Sequence, residues 1–307
     1  MSAPLLKRLN IFRSDDERIA DKIQNREKGV DTVQLDSDIV PRYGKILLTF
    51  VIGIFIVILI WGVFAWYFNE IAMKSIMPFP TPIEAFEKLY QFLFEGSNAY
   101  GYSLYDHISA SLTRWMVAFV LASGVGILLG VLIGSSNLIY PIGMVPVNVF
   151  QMIPGLAWLP IALLLFGLGD DSAIFIIFMV TSMVITVNVA AGMRRMPVTI
   201  KRASEMMGAN RTIYFFKVLV PYATVDIVTG MRLGMSSAWR VLIAAEMVVA
   251  TGIGLGYVIS MTRESLEYVT SFTCIMVICI IGLLIDKVIF AKIEKYARQK
   301  AGMEEGI

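Results

Sequence analysis

Long uncharged stretches alternate with short polar segments along most of this chain. Residues 46–68 contain no charged side chain, and a helix of that length reaches about 34 Å, enough to cross a hydrocarbon core of roughly 30 Å. The pattern therefore predicts an all-α, polytopic membrane protein with about six transmembrane helices. The predicted spans are 46–68, 108–134, 138–166, 172–193, 223–249 and 268–285.

The third predicted span is unusual because it is rich in proline. No charged residue occurs between Trp115 and Gly169, so this stretch must fold back, and Ser135-Ser136-Asn137 is the predicted turn. Proline lacks the backbone N–H that a helix interior needs. The returning segment is therefore predicted to be kinked or partly unwound, with neighbouring helices satisfying the freed carbonyls. Its prolines are Pro141, Pro146, Pro154 and Pro160.

The distribution of Lys and Arg predicts how the spans are oriented. Of 26 such residues, nine precede Ile46, six lie in 194–221 and five lie from Lys287 onward. Cytoplasmic segments of membrane proteins are enriched in Lys and Arg, so both termini and the 194–221 loop are predicted to be cytoplasmic. The opposite side carries Lys74, Lys88 and Arg263.

These assignments divide the chain into three parts and place it in the plasma or inner membrane. The parts are a cytoplasmic N-terminal segment (1–45), a transmembrane domain (46–290) and a cytoplasmic tail (291–307). The first apolar run follows about 45 largely polar residues and is too long for a cleavable signal peptide, so it is predicted to be an anchor. In the external segment, the prolines at 78–82 predict a rigid turn into a short amphipathic helix at 83–89.

Composition supports a membrane protein without a catalytic centre of its own. Hydrophobic residues make up 57% and charged residues 16% of the chain, and its mean hydropathy is +0.72, far from the usual soluble balance. No Gly-x4-Gly-Lys-Ser/Thr phosphate loop occurs, so we expect no nucleotide site of that type in this chain. A lone histidine, His107, and two separated cysteines, Cys274 and Cys279, do not form a metal site of the usual spacing. We expect no catalytic residue, no bound metal and no nucleic-acid partner.

Ionisable residues inside the spans are the first candidates for a solute pathway. Such groups usually face a protein interior or a water-filled cavity, where they would guide an anion. The structural alternative is that Arg240 pairs with Glu246 near the outer boundary and that Arg114 snorkels to the interface. For neutral polar residues the alternative is interhelical hydrogen bonding. The candidate pathway residues are Gln151, Asn188, Arg232, Arg240 and Glu246.

Two glycine repeats predict close helix packing. Gly126, Gly130 and Gly134 recur every four residues, as do Gly230 and Gly234, so each set lies on one helix face. Small residues on one face let helix backbones approach closely in a membrane. The packing is expected either within the subunit or across a dimer.

The 194–221 loop is predicted to form a helical hairpin. Pro197 suits the first turn of a helix running to Met207, Gly208 suits the left-handed geometry that ends it, and Asn210 suits the cap of a following apolar helix. Pro221 closes the unit. The small side chains of Ala203, Ser204 and Gly208 would let a cytosolic partner approach closely. The alternative is an interfacial helix that only connects two spans.

This hairpin resembles the cytoplasmic signature of ABC importer permeases. The signature reads Glu-Ala-Ala, three residues, Gly, nine residues, Ile-x-Leu-Pro. Gly208 and Pro221 match it, Ala203 stands at the first alanine, and Arg202 and Ser204 replace the glutamate and the second alanine. Val218 and Val220 replace the aliphatic pair. The resemblance implies a type I ABC importer permease fold and an ATPase-coupling element comprising Arg202, Ala203, Ser204, Glu205, Gly208 and Pro221.

Further motifs resemble the nitrate/sulfonate/taurine/bicarbonate branch of these importers. They are the segments 153–160, 166–169, 245–247 and 254–257, together with the external prolines at 78–82. The resemblance implies a permease that forms the translocation pathway for a small solute. The expected cargo is an anion such as nitrate, bicarbonate or a sulfonate.

The same resemblance implies the partners. These are two cytosolic ABC ATPases, a second copy of the permease and an extracytoplasmic solute-binding protein. ATP and Mg would be bound by the ATPase and no cofactor by this chain. One alternative is an ion-coupled secondary transporter working without an ATPase, and the other is an ABC permease for a non-anionic organic solute such as a pyrimidine precursor.

Overall fold

The computed structural model describes residues 42–72 and 78–300. Most of the predicted N-terminal segment, Lys74 and the last seven residues of the predicted tail lie outside the described residues. The chain divides into two compact units, Met1–Trp61 and Gly62–Ile307. The described part of the first unit is the N-terminal part of helix α1 (Arg42–Tyr67), which continues as a π-helical turn, Phe68–Ala72.

The second unit is almost entirely helical in its described residues. A short antiparallel pair of strands, β1 (Asn98–Ala99) and β2 (Tyr102–Ser103), precedes its longest helix. A 3₁₀ turn covers Gly155–Trp158, and π-helical turns cover Tyr214–Leu219 and Ile285–Phe290. The helices are α2 (Pro82–Phe94), α3 (Leu104–Gly134), α4 (Ile139–Met152), α5 (Leu159–Phe166), α6 (Asp170–Arg194), α7 (Val198–Met206), α8 (Arg211–Ile213), α9 (Val220–Tyr222), α10 (Thr224–Val249), α11 (Leu255–Ser265), α12 (Tyr268–Leu284) and α13 (Ala291–Lys300).

The prediction of an all-α, polytopic membrane protein is confirmed. Within the described residues, four helices are long and apolar enough to cross a membrane, and two bent helix pairs raise the number to six. The four are Leu48–Ile71, Leu104–Gly134, Asp170–Arg194 and Tyr268–Glu294. The bent pairs are Ile139–Met152 with Gly155–Phe166, and Arg211–Tyr222 with Thr224–Val249.

The proline-rich third span is broken, as the sequence predicts. Its two helices, α4 and α5, meet at an angle of 98°, and Pro154 stands at the break between them. The helices on either side, α3 and α6, run parallel, because successive glycines of α3 meet successive residues of α6 at a constant offset. The chain must therefore return from the end of α3 to the start of α6, so the bent pair makes one crossing.

Glycines on α3 permit this parallel contact. A β-carbon at Gly130 would lie 2.6 Å from the Cβ of Val189, and one at Gly134 would lie 2.7 Å from the Cβ of Met193. Both distances are far below van der Waals contact, so only glycine fits. The α3 and α6 backbones therefore lie closer together than larger side chains would allow.

The second glycine repeat packs α10 against an adjoining face of α6. A β-carbon at Gly234 would lie 2.6 Å from Cγ1 of Ile185, and one at Gly230 would lie 2.9 Å from Cβ of Asn188. Ile185 also faces Gly126 of α3, at 2.9 Å from the corresponding β-carbon position. Helix α6 thus packs closely against two glycine-lined helices, and the predicted close packing is confirmed within one subunit.

The two ends of this bundle can be named by what they carry. The hairpin end carries residues 194–222 together with the end of α3 and the start of α10. The opposite end carries the starts of α3 and α6, the end of α10, and the strands.

The short external helix predicted at 83–89 is longer, Pro82–Phe94, and begins with a capping box formed by Thr81 and Glu84. The strands and α11 were not predicted.

The glycine contact predicts different effects for the same substitution at two positions of α3. Gly130→Ala should lower the free energy of unfolding by about 1–3 kcal/mol because the added methyl overpacks against Val189. Gly124→Ala is the matched control: no atom lies within 4 Å of its β-carbon position, and alanine is the better helix former by about 1 kcal/mol. Thermal unfolding of the purified protein in detergent measures both. Equal stability of the two variants would contradict the proposed contact.

Candidate functional site

The hairpin contains a short helix, α7, whose end is defined by glycine. Gly208 has φ +81°, the left-handed geometry that the sequence predicts for it. The Ala209 N–H donates to the Ser204 carbonyl and the Gly208 N–H donates to the Glu205 carbonyl, both at 3.0 Å. These two bonds form a Schellman motif. The side chain of Asn210 then caps the next helix by accepting from the Ile213 N–H at 2.8 Å, also as predicted.

Ser204 faces inward rather than outward. It is buried, with 8% of its surface exposed, and its hydroxyl donates to the Lys201 carbonyl at 2.7 Å. The prediction that Ser204 helps to form an exposed knob is therefore wrong. The reason is helical periodicity, which turns Ser204 toward the bundle while Arg202, Ala203 and Glu205 stay exposed.

Two methionines form the exposed tip of the hairpin. Met206 is 84% exposed and Met207 is 87% exposed, directly before Gly208. Adjacent large apolar side chains with this exposure are typical of a surface that another protein covers. Neither methionine was among the predicted contact residues, which were chosen for their small side chains, although the pair stands in the signature segment.

An ion pair, a hydrogen bond and a cation–π contact hold the hairpin against the bundle. Arg195, which directly follows α6, pairs with Asp226 in the first turn of α10. Arg194 donates to the Asn137 side chain and lies 4.8 Å from the centroid of the Tyr140 ring. Pro221 lies within α9, just before a 52° change of direction into α10. The hairpin is therefore fastened to α6, to α10 and to the turn between α3 and α4.

Two of the candidate pathway residues are exposed on the single subunit. Gln151 lies at the end of α4 beside the break in the third span, and Arg240 lies on α10. No ion pair of Arg240 occurs among residues 42–72 and 78–300, and Glu246 pairs with Arg114 instead, so the alternative in which Arg240 pairs with Glu246 is wrong. Both side chains are polar and lie within apolar spans, and they are free to face another copy or a water-filled space.

Arg232 and Asn188 have partners inside the subunit. Arg232 donates to the Asp286 carboxylate at 2.9 Å and 3.2 Å and to the Glu294 carboxylate at 2.6 Å. This arrangement joins α10 to the C-terminal part of the chain. The Asn188 side chain donates to the Val184 carbonyl at 2.8 Å, and its β-carbon faces Gly230. Arg232 therefore makes contacts between helices, and Asn188 makes a hydrogen bond within its own helix.

Glu246 is the centre of a buried polar network at the opposite end. Its surface is 1% exposed, and Arg114 donates to Oε1 at 2.6 Å. Ser111 donates to the same carboxylate at 2.8 Å, and the Gly256 N–H donates to Oε2 at 2.9 Å. A buried carboxylate with an arginine partner and additional donors is satisfied.

The network links four parts of the chain. Arg114 of α3 also donates to Asp170 at the start of α6, with Nε and Oδ1 2.8 Å apart. A β-carbon at Gly254 would lie 2.7 Å from Nη1 of Arg114. The loop between α10 and α11 therefore needs glycine there in order to approach the ion pair. Arg114 is only 2% exposed, so the alternative in which it snorkels to the interface is wrong.

His107 extends the network toward the strands. It is fully buried. Its Nδ1 accepts from the Gly254 N–H at 3.0 Å, and its Nε2 lies 2.9 Å from the Ala99 carbonyl. These partners require the neutral tautomer with its proton on Nε2. His107 thus positions the loop before α11. No group of three or more metal-ligating side chains occurs in the described ranges.

Most of this network was missed by sequence reasoning. Glu246 and Gly254 were both noted as motif residues, but their partners, Ser111, Arg114 and Asp170, lie far away along the chain. The available signal was the presence of opposite charges, Arg114 and Glu246, in two predicted spans. Charges buried in a membrane usually pair with each other.

Comparisons with known proteins agree with these features. Residues 124–294 match the family model described as "Binding-protein-dependent transport system inner membrane component". The nitrate import permease protein NrtB of Synechocystis sp. is 36% identical over 214 residues, which cover 68% of this chain and 77% of the relative. The taurine transport system permease protein TauC of Escherichia coli is 31% identical over 72% of this chain and 80% of its own length.

A third relative and a solved structure extend the comparison. The bicarbonate transport system permease protein CmpB of Synechococcus elongatus is 30% identical over 243 residues, covering 76% of this chain and 84% of the relative. A chain of the MetNI methionine ABC transporter, solved in inward-facing conformations, has a TM-score of 0.56 at 21% identity. The match covers 63% of this chain and 95% of that chain. This similarity concerns the fold of the two chains alone.

The buried network predicts a large effect of removing one charge. Glu246→Ala should lower the free energy of unfolding by about 3–5 kcal/mol, because Arg114 then loses its buried partner. Asp171→Asn is the control: it removes a carboxylate from an exposed residue beside Asp170. Replacing both Arg114 and Glu246 by Met should recover part of the loss, because no buried charge remains unpaired between them. Thermal unfolding of the three variants in detergent tests this, and a Glu246→Ala melting temperature equal to that of Asp171→Asn would refute it.

Proposed function

This chain belongs to the binding-protein-dependent transport system inner membrane components and is an ABC importer permease subunit, and we propose that two copies form a pathway for a small anion, driven through the hairpin. The family works with a separate ATPase and a solute-binding protein. The protein itself is a multi-pass membrane transport subunit, not an enzyme. An ion-coupled secondary transporter is set aside by this family membership.

The exposed methionine tip of the hairpin is the observation that carries the proposal. Met206 and Met207 extend from a helix that ends in a Schellman motif and is fastened to α6 and α10 through Arg195 and Asp226. A tip of this kind suits the surface groove of a cytosolic protein. We infer that one ABC ATPase binds each hairpin, giving two ATPases for two permeases, and that ATP and Mg²⁺ bind to those ATPases.

This role requires the hairpin end to be cytoplasmic. Six Lys and Arg side chains lie in 194–221, and cytoplasmic loops are enriched in these residues. At the opposite end Lys88 and Arg263 are the basic residues in the described external segments. Both chain termini would then be cytoplasmic, and the solute-binding protein would approach from the opposite end.

The pathway is proposed at the contact between two permease copies. Gln151 and Arg240 lie inside predicted spans but are exposed on the single subunit, and polar or charged side chains are costly against lipid. A second copy related by two-fold symmetry would cover this face and leave a polar space between the subunits. Asn188, Arg232 and Glu246, also predicted to line the pathway, have other partners, and we assign them to the packing of the subunit.

An anion is the solute class that these features favour. Three relatives carry names that specify nitrate, taurine and bicarbonate transport. Arg240 supplies a positive charge with no carboxylate partner within 4 Å among the residues that the structure describes. We therefore propose nitrate, bicarbonate or a sulfonate as the transported class.

The hairpin tip predicts a test of ATPase binding. Met207→Asp should weaken ATPase binding by about thirtyfold, because a buried interface side chain of this kind contributes about 2 kcal/mol or more and a buried charge is unfavourable. Co-purification of the ATPase and solute-stimulated ATP hydrolysis in proteoliposomes measure the loss. Met207→Leu, which keeps a large apolar side chain at the same position, is the control for ATPase binding. Unchanged co-purification of Met207→Asp would refute the proposed contact.

Gly208 provides a second test at the same place. Gly208→Val should reduce coupling because a β-branched residue is strained at φ +81°. Gly208→Asn should retain coupling, since asparagine tolerates left-handed geometry and the position has open space around it. Both variants should reach the membrane in equal amounts. Equal uptake by the two would show that the left-handed end of α7 is not needed.

Arg240 predicts the charge dependence of uptake. Arg240→Gln should lower the uptake of the anionic solute by roughly tenfold, as expected for one lost hydrogen bond to a charged group. Arg240→Lys should retain most uptake because it keeps the charge. Arg263→Gln, which removes an exposed arginine of α11, is the control. Reconstitution with ATPase and binding protein measures the rates, and full uptake by Arg240→Gln would contradict the assignment.

A further inference from the structure

A cavity of about 780 Å³ opens between the hairpin and the bundle. Its walls come from the turn between α3 and α4, the end of α6, and the helices α7 and α8. It lies at the hairpin end of the bundle, away from Gln151 and Arg240. We define it as the hairpin cavity. The solute pathway proposed above does not use it.

The hairpin cavity is positively charged. Arg194, Lys201 and Arg211 line it, together with a single carboxylate, that of Glu205. Within the described part of the chain, neither Lys201 nor Arg211 has a carboxylate within 4 Å. Arg194 is held by the neutral side chain of Asn137 and lies over the ring of Tyr140. Three cations facing one carboxylate leave an excess of positive charge directed at the cavity.

Apolar side chains stand beside these cations. Leu138 is 75% exposed and Val198 is 60% exposed, and both line the same cavity. A site with basic residues and an adjacent exposed apolar surface, at the end of a transmembrane bundle, matches the two parts of a phospholipid. Basic cavities between transmembrane helices on the cytoplasmic side bind anionic head groups.

We propose that the hairpin cavity binds a phosphate-bearing anion, supplied either by the head group of an anionic phospholipid or by a soluble phosphate compound. The phosphate would lie between Lys201 of α7 and Arg211 of α8, with Arg194 at the end of α6. Because these residues belong to the hairpin and to the bundle, the ligand ties the two together. Binding should therefore stabilise the position of α7 relative to α6.

The test uses the full chain purified into nanodiscs of phosphatidylcholine alone or with added phosphatidylglycerol. Thermal stability and lipid retention in native mass spectrometry are the two measurements. Wild type should be stabilised by phosphatidylglycerol and should retain it. Lys201→Gln and Arg211→Gln should each weaken retention by about fivefold, the contribution expected from one basic residue near an anionic lipid surface.

Two further variants separate a built site from general surface charge. Lys217→Gln removes an exposed lysine of the same hairpin that does not line the cavity, and it should retain phosphatidylglycerol as wild type does. Lys201→Arg keeps the charge and should bind normally, which separates loss of binding from misfolding. Equal loss in Lys217→Gln and Lys201→Gln would overturn the proposal.

Inorganic phosphate identifies the source of the anion. If phosphate stabilises the protein in phosphatidylcholine nanodiscs, and Lys201→Gln and Arg211→Gln abolish the effect, the ligand is a soluble phosphate compound. If only phosphatidylglycerol stabilises the protein, and Lys201→Gln and Arg211→Gln abolish that stabilisation, the ligand is a lipid. Absence of any stabilisation that depends on Lys201 or Arg211, by either probe, would overturn the proposal. These measurements need no ATPase, so they succeed or fail independently of the transport function.

Discussion

Close backbone contact between α6 and its two neighbours is the constraint on which the rest of this structure depends. Gly126, Gly130 and Gly134 bring α3 against one face of α6, and Gly230 and Gly234 bring α10 against an adjoining face. In a membrane, water does not drive helices together, so close packing and interhelical hydrogen bonds must do so. Because α3 and α6 run parallel, the broken span α4–α5 must also return the chain from the end of α3 to the start of α6.

The same three helices carry both sites of interest at their ends. At one end Arg114, Asp170 and Glu246 join α3, α6 and α10 in a buried network. At the other end Arg195 and Asp226 join α6 to α10 beside the hairpin. Packed helices of this kind connect the two ends as continuous rigid elements. The hairpin and the loop before α11 are therefore joined through the same packed helices, although they lie at opposite ends.

Sequence reasoning succeeded where a local rule applies and failed where partners are distant along the chain. The left-handed Gly208, the Asn210 cap and the proline break all follow from backbone chemistry within a few residues. Ser204 and Arg114 were misassigned because their surroundings are formed by other helices. The exposure of Met206 and Met207 and the charge of the hairpin cavity likewise depend on which face of α7 lies against the bundle.

The sequence by itself determined that the chain is an all-α membrane protein with a helical hairpin between two spans, because hydrophobic length, proline, glycine and charge act locally. It also determined the family, since the hairpin signature lies within one contiguous segment. Only the tertiary structure decided that Glu246 pairs with Arg114 rather than Arg240, and that His107 is buried. The physical reason is that burial and ion pairing are set by distances between helices, which a one-dimensional pattern does not contain.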